Sequence, residues 1–88
     1  MTPREVAEFM LASQGDRKRL DQEVVVRKIR RECGEEHTYK NANGNWAISR
    51  EVLSEFRKLT ADTHIWERGA RTWRLRTERD PPGKRQAD

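Results

Sequence analysis

Thr63-His64-Ile65-Trp66-Glu67-Arg68-Gly69-Ala70-Arg71-Thr72-Trp73-Arg74-Leu75-Arg76-Thr77 is the stretch whose reading decides the fold. Its pattern predicts a β-hairpin. Gly69-Ala70 has glycine first, the chemistry of a two-residue type II′ turn whose first central residue needs a positive φ. Folding about that pair sets Arg68 opposite Arg71, Glu67 opposite Thr72, Trp66 opposite Trp73, Ile65 opposite Arg74 and His64 opposite Leu75. Side chains alternate along a strand. One face of the ribbon then carries Trp66, Trp73 and Leu75, and the other carries Glu67, Arg74 and Arg76. The expectation is a hairpin whose apolar face docks on a core and whose arginine face meets a partner.

Charge placement sharpens that expectation. The chain has 88 residues, 39% charged and 33% hydrophobic, with a net charge of +4. Residues 64–77 hold four arginines against one glutamate. Residues 1–63 are nearly balanced, twelve Lys and Arg against eleven Asp and Glu, and residues 78–88 balance three against three. Most of the excess therefore sits on the hairpin, where it serves solubility or attracts phosphate. So short a chain makes one domain with a thin core. It has no apolar run of membrane-spanning length and no signal-peptide core at its N-terminus. Its single cysteine excludes an intramolecular disulfide. A reduced, cytoplasmic setting is the expectation.

Upstream of the hairpin, three helices are predicted. Thr2, Pro3 and Glu5 are a capping box with proline at the first helical position, and Gly15 ends a helix over residues 2–14. Val6, Phe9, Met10 and Ser13 make its buried stripe. Residues 15–20 read as a loop with a basic run, Arg17-Lys18-Arg19. Asp21 caps a second helix to about residue 33, with Leu20 and Val25 as a hydrophobic staple. Val25, Val26, Ile29 and Cys33 face inward, and Arg27, Lys28, Arg30 and Arg31 crowd the remaining face. Gly34 closes it, and Glu35 and Glu36 follow. The cluster Asn41-Ala42-Asn43-Gly44-Asn45 marks a turn. Trp46-Ala47-Ile48 is short and extended, and could add a third edge strand to the hairpin. Ser49 caps a third helix to about residue 60, with Val52, Phe56 and Leu59 buried. Its outer face mixes Arg50, Ser54, Arg57 and Lys58 with Glu51 and Glu55. The three tryptophans are expected mainly as core packing, because the aliphatic inventory is small. After the hairpin, Pro81 and Pro82 end the second strand and the polar tail is flexible.

The fold class expected is α+β, a small winged helix-turn-helix-like domain of three helices followed by a β-hairpin wing. Residues 1–78 form the single domain, and 79–88 the tail. The 35–48 connection is long for a tight helix-turn-helix.

The motifs also resemble a known family. Asn43-Gly44-Asn45-Trp46-Ala47-Ile48-Ser49, Val52-Leu53, Phe56-Arg57-Lys58-Leu59-Thr60, Asp62-Thr63, Trp66-Glu67-Arg68, Trp73-Arg74 and Asp80-Pro81-Pro82-Gly83 carry the likeness. Thr2-Pro3, Val6-Ala7 and Met10-Leu11 extend it. Together they resemble a family of small bacterial proteins known as a domain of unknown function. The likeness covers most of the chain and is weakest across residues 14–20. It implies a bacterial, cytoplasmic, winged-helix-like domain and brings no activity or functional residue with it.

Function is read from the cations. Arg68, Arg71, Arg74 and Arg76 on the hairpin would meet phosphate or a minor groove, and Arg50, Arg57 and Lys58 on the third helix would follow a major groove. The acidic Glu51 and Glu55 weigh against deep major-groove reading, since carboxylate repels phosphate. The alternative is a protein-interaction module, using the hairpin face or the acidic 32–36 segment. Catalysis is not expected: there is no glycine-rich phosphate loop, nucleophile elbow or metal motif. Cys33, His37 and His64 are too few and too irregularly spaced for a zinc site. No cofactor is expected.

Overall fold

The computed structural model describes residues 1–80 and 86–87. Helix α1 spans Pro3–Gln14 and opens on the capping box: the Thr2 hydroxyl accepts from the Glu5 amide, and the Glu5 carboxylate accepts from the Thr2 amide. Gly15, at φ 57°, ends it. Strand β1 covers Arg19–Asp21, inside and just beyond the stretch expected to be a loop. Three residues are too few to show alternation, but Leu20 lies opposite Trp73 of the hairpin and is buried with it. Asp21 ends β1 and also caps α2, Gln22–Glu32, its carboxylate accepting from the amides of Glu23 and Val24.

A 3-10 turn, Glu35–His37, leads into β2, Thr38–Lys40. Strand β3 is Trp46–Ile48. It is extended as expected, but it pairs antiparallel with β2 and not with the C-terminal hairpin. The Asn41–Asn45 turn cluster is the loop of this second hairpin. Asn41 Oδ1 accepts from the amides of Asn43 and Asn45, and Gly44 takes φ 80°. Ser49 caps α3, Arg50–Thr60.

Strands β4, His64–Glu67, and β5, Thr72–Leu75, form the C-terminal hairpin in the register the sequence predicts. The turn differs. Gly69 does not take a positive φ; Arg71 does, at 53°. The loop is four residues, with the Arg71 amide donating to the Arg68 carbonyl. A four-residue loop built this way joins the same strand pair without the glycine-first turn. The third strand on this sheet is β1, on the outer side of β5; β6, Gln86–Ala87, runs parallel to β4 on the other edge, giving the order β1-β5-β4-β6. Strand β5 ends at Leu75; Pro81 and Pro82, expected to stop it, lie outside the described residues.

The core lies between the helices and the sheet's inner face. Val6, Met10, Val25, Ile29, Ile48, Val52 and Phe56 are fully or almost fully buried, each worth about 1.5–3 kcal/mol of transfer free energy. Trp73 joins them, its ring meeting Phe56 edge-on at 5.0 Å and Trp66 at 4.7 Å. Two side chains expected in the interior lie outside it. Trp46 is 42% exposed, because the β2–β3 hairpin holds it on the surface under Arg30. Leu75 is also 42% exposed: it shares the face of Trp73 but ends its strand. On the opposite face Ile65 is fully buried. The result is a small α+β domain with, among the described residues, three α-helices and antiparallel strand pairing except at β6.

Candidate nucleic-acid interface

Between α3 and the C-terminal hairpin lies a cleft of about 320 Å³. Leu53, Phe56, Trp66 and Trp73 supply its apolar lining. Gln22, Thr60 and Gln86 add polar groups, and Arg57 and Arg76 bring two guanidinium groups to it. Helix periodicity puts Leu53, Phe56, Arg57 and Thr60 on one side of α3, since residues three and four apart are neighbours. Thr60 spends its hydroxyl on the Phe56 carbonyl at 2.8 Å, so the last turn of α3 stays closed while lining the cleft.

His64 also lines this cleft, and its bonding fixes its proton. Gln14 Nε2 donates to the Arg17 carbonyl at 2.8 Å, which leaves Gln14 Oε1 facing His64 Nε2 at 2.6 Å. A carbonyl oxygen only accepts, so Nε2 carries the hydrogen, and Nδ1 accepts from the Thr63 hydroxyl at 2.7 Å. Burial lowers the His64 pKa from its ordinary value and keeps the ring neutral. The same bonds tie the end of α1 to the start of β4.

The seven cations named from the sequence do not form one row. Arg57 and Arg76 share the cleft, and Arg76 Nε donates to the Ala61 carbonyl at 3.2 Å. Arg57 makes no ion pair among the described residues. Arg68 and Arg71 sit at the hairpin turn, where Arg71 Nη1 lies 3.9 Å from Glu23 in the first turn of α2. Arg50 lines a separate shallow groove with Thr2, Pro3 and Glu51. Lys58 pairs with Glu55 at 2.9 Å, and Glu55 also lies 3.6 Å from Arg4.

Arg74 is held on the sheet's other face. Its two terminal nitrogens reach the Asp80 carboxylate at 2.9 Å each, a bidentate fork, and Nε lies 3.6 Å from Glu67. Glu67 in turn bonds Arg19 of β1 at 2.6 Å. The Arg74 hydrogen bonds, with that from the Thr77 amide, hold the Asp80 carboxyl far below the usual carboxylate range. The same pairing raises the Arg74 pKa above its ordinary value. The sequence spacing of Arg74 and Asp80, six residues apart across the end of a strand, gave no signal for this fork.

A second feature escaped the sequence. Arg30 of α2 stacks on Trp46 with its guanidinium carbon 3.4 Å from the ring centroid, and Lys40 Nζ lies 5.6 Å from the same ring. Both contacts are cation–π in geometry. Tyr39, next to Lys40, is also exposed. Register alone pairs Lys40 with Trp46, but the approach of Arg30 depends on how α2 packs on the second hairpin. The aromatic residue with most exposed surface after Tyr39 is thus one the composition assigned to the core.

Among the described residues no group of three or more His, Cys, Asp or Glu could hold a metal ion. Cys33 is buried, and burial raises its thiol pKa, with the Glu32 charge adding to the effect. No helix among the described residues is long and apolar enough to cross a membrane.

Fold and site together define a small α+β domain with an aromatic, arginine-bearing cleft beside its C-terminal hairpin. The chain belongs to the family described as Family of unknown function (DUF6953), whose match covers residues 2–75. Comparison with curated proteins gives no significant match. Comparison with solved structures gives none either.

Proposed function

We propose that this is a winged-helix-like binding module whose partner is nucleic acid, held chiefly through its phosphates. The observation that carries the reading is the meeting of Arg57 from α3 and Arg76 from the end of β5 at one cleft, beside a hairpin turn bearing Arg68 and Arg71. The topology supports it. A helix, a strand, two further helices and a hairpin, with the first strand completing the hairpin's sheet, follow one another in the order expected of a winged helix, with the hairpin in the place of the wing. The β2–β3 hairpin between α2 and α3 is the departure from a tight helix-turn-helix. The role proposed is binding, not catalysis.

The contact set is smaller than the seven residues named from sequence. Arg74 is engaged by Asp80 and Glu67, and Lys58 by Glu55. By their position, Arg57 and Arg76 at the cleft and Arg68 and Arg71 at the hairpin turn are proposed as the main phosphate ligands, with Arg50 at the start of α3. Four contacts predict that log affinity falls against log salt with a slope of about −3 to −4 on duplex DNA. Fluorescence anisotropy with labelled duplex and single strands at 50 and 200 mM salt measures it. Absence of binding at low salt, or a flat salt response, overturns the reading.

A protein partner is the second reading, and one observation favours it. Trp46 is exposed under Arg30, and both are residue types enriched at the centre of protein interfaces. Retention of a protein partner by the wild-type chain, lost on Trp46→Ala with nucleic-acid binding absent throughout, would favour it.

A further inference from the structure

We infer that the cleft between α3 and the C-terminal hairpin is a base-binding site, taking one unstacked nucleobase of a bound single strand with its phosphate on Arg57. This rests on the nucleic-acid reading and adds to it a strand type and a place for the base. The cleft's volume of about 320 Å³ falls at the small end of the range for ligand pockets. It suits one flat ring rather than a folded peptide segment.

Its lining matches that ring in three ways. Trp66, half-buried, is the ring with surface at the cleft, and it is backed by the buried Trp73 at 4.7 Å, which in turn meets the buried Phe56 at 5.0 Å. Aromatic walls hold a base by stacking or edge contacts whatever its identity. The side-chain amides of Gln22 and Gln86 are at the cleft from α2 and β6, each offering both donor and acceptor to a base edge. Arg57 reaches the same cleft and makes no ion pair among the described residues, so its guanidinium has charge to give to a phosphate. An aromatic interior with polar amides and a cation is complementary to a nucleotide, which joins a planar polar-edged ring to an anion.

Unlike the surface aromatics on the second hairpin, this site is reached only by a base that has left its stack. A duplex presents phosphates to Arg57 but keeps its bases paired, so the cleft selects single strands. The hairpin arginines bind either form. Strand type is then decided by the cleft, and affinity common to both forms by the turn.

The tryptophans report the event. In a Trp46→Phe background the remaining emission comes from Trp66 and Trp73, both at the cleft. Short single strands are expected to quench it saturably, and duplexes of equal length to bind without that quenching. Ala61→Phe fills the cleft from the end of α3 and is expected to abolish the quenching while leaving salt-dependent duplex binding. Arg57→Gln, which leaves the aromatic cluster whole, is expected to weaken single-strand binding on the order of tenfold with an unchanged melting temperature. It keeps the test decisive if Ala61→Phe does not fold.

Duplex and single strand binding alike without quenching would overturn the base site and leave the phosphate reading standing. No binding of either at low salt would overturn both. A free nucleoside monophosphate that saturates the quenching at the same concentration as the strand would overturn the strand-borne assignment. So would an acidic, aromatic-bearing peptide that quenches where oligonucleotides do not.

Discussion

His64 is a neutral ring whose state depends on its surroundings. Its folded pKa is lowered by burial, while the unfolded chain titrates near the ordinary value of about 6.5. Below that value the unfolded state takes up a proton that the folded state refuses. Stability is therefore full above about pH 6.5 and falls as the pH drops toward the lowered folded value. Thermal melts at pH 7.5 and 5.5 should show this loss, and His64→Gln should flatten it; an equal pH response in the variant would refute the assignment. Asp80 works in a lower window. Its folded pKa is depressed by Arg74 and the Thr77 amide, so its contribution is complete above the unfolded value near 3.9 and fades as the pH falls further. Asp80→Asn should melt below wild type at pH 7, and the gap should narrow between pH 4 and 3. A gap that is constant across that range would mean the fork with Arg74 does not stabilise the fold.

At the scale of elements, the C-terminal hairpin carries both the clearest success of sequence reasoning and its clearest limit. Alternation and the Trp66–Trp73 pairing were legible, because a slip by one residue would send both tryptophans to the wrong face. The turn was not, since a four-residue loop with Arg71 at positive φ closes the same register. Trp73→Ala removes the ring that joins Leu20, Phe56 and Trp66, and should cost ~3–5 kcal/mol in chemical denaturation. Leu75→Ala, at an exposed strand end, should change stability by less than about 0.5 kcal/mol. Equal losses at the two positions would mean that Leu75 is packed in solution. Strand β1 was invisible because three residues contain one inward side chain, Leu20, and a single apolar residue has no period.

For the whole molecule, the folded arrangement redistributes a charge that looked concentrated. The hairpin's surplus is real in the sequence, yet Arg74 answers to Asp80 and Glu67, and Arg71 lies near Glu23 in the first turn of α2. The span expected as a flexible tail contributes Asp80 to that network and Gln86–Ala87 to the sheet edge; residues 81–85 and 88 lie outside the described residues. On the proposed nucleic-acid reading, each cation removed at the hairpin turn should reduce the salt slope by close to one. Arg68→Gln with Arg71→Gln is therefore expected to lower its magnitude by about 2 on duplex DNA, measured by anisotropy across salt. A slope unchanged by the double substitution would remove the turn from the interface. Of the candidate site, sequence named Arg57 and Arg76, but nothing in their spacing, nineteen positions apart along the chain, set them at one cleft with Gln22 and Gln86.

By itself the sequence determined the local elements: the caps at Thr2, Asp21 and Ser49, the inward stripes of the three helices, and the strand register of residues 64–75. Those follow from interactions within a few positions and from periods that repeat, so they can be read along the chain. Only the tertiary structure decided the rest. It paired Trp46–Ile48 with Thr38–Lys40, put β1 beside β5, turned Trp46 to the surface under Arg30, and gave Arg74 to Asp80. Each of these is a choice among partners, settled by which surfaces the packed helices leave to be filled and which charges they bring within reach.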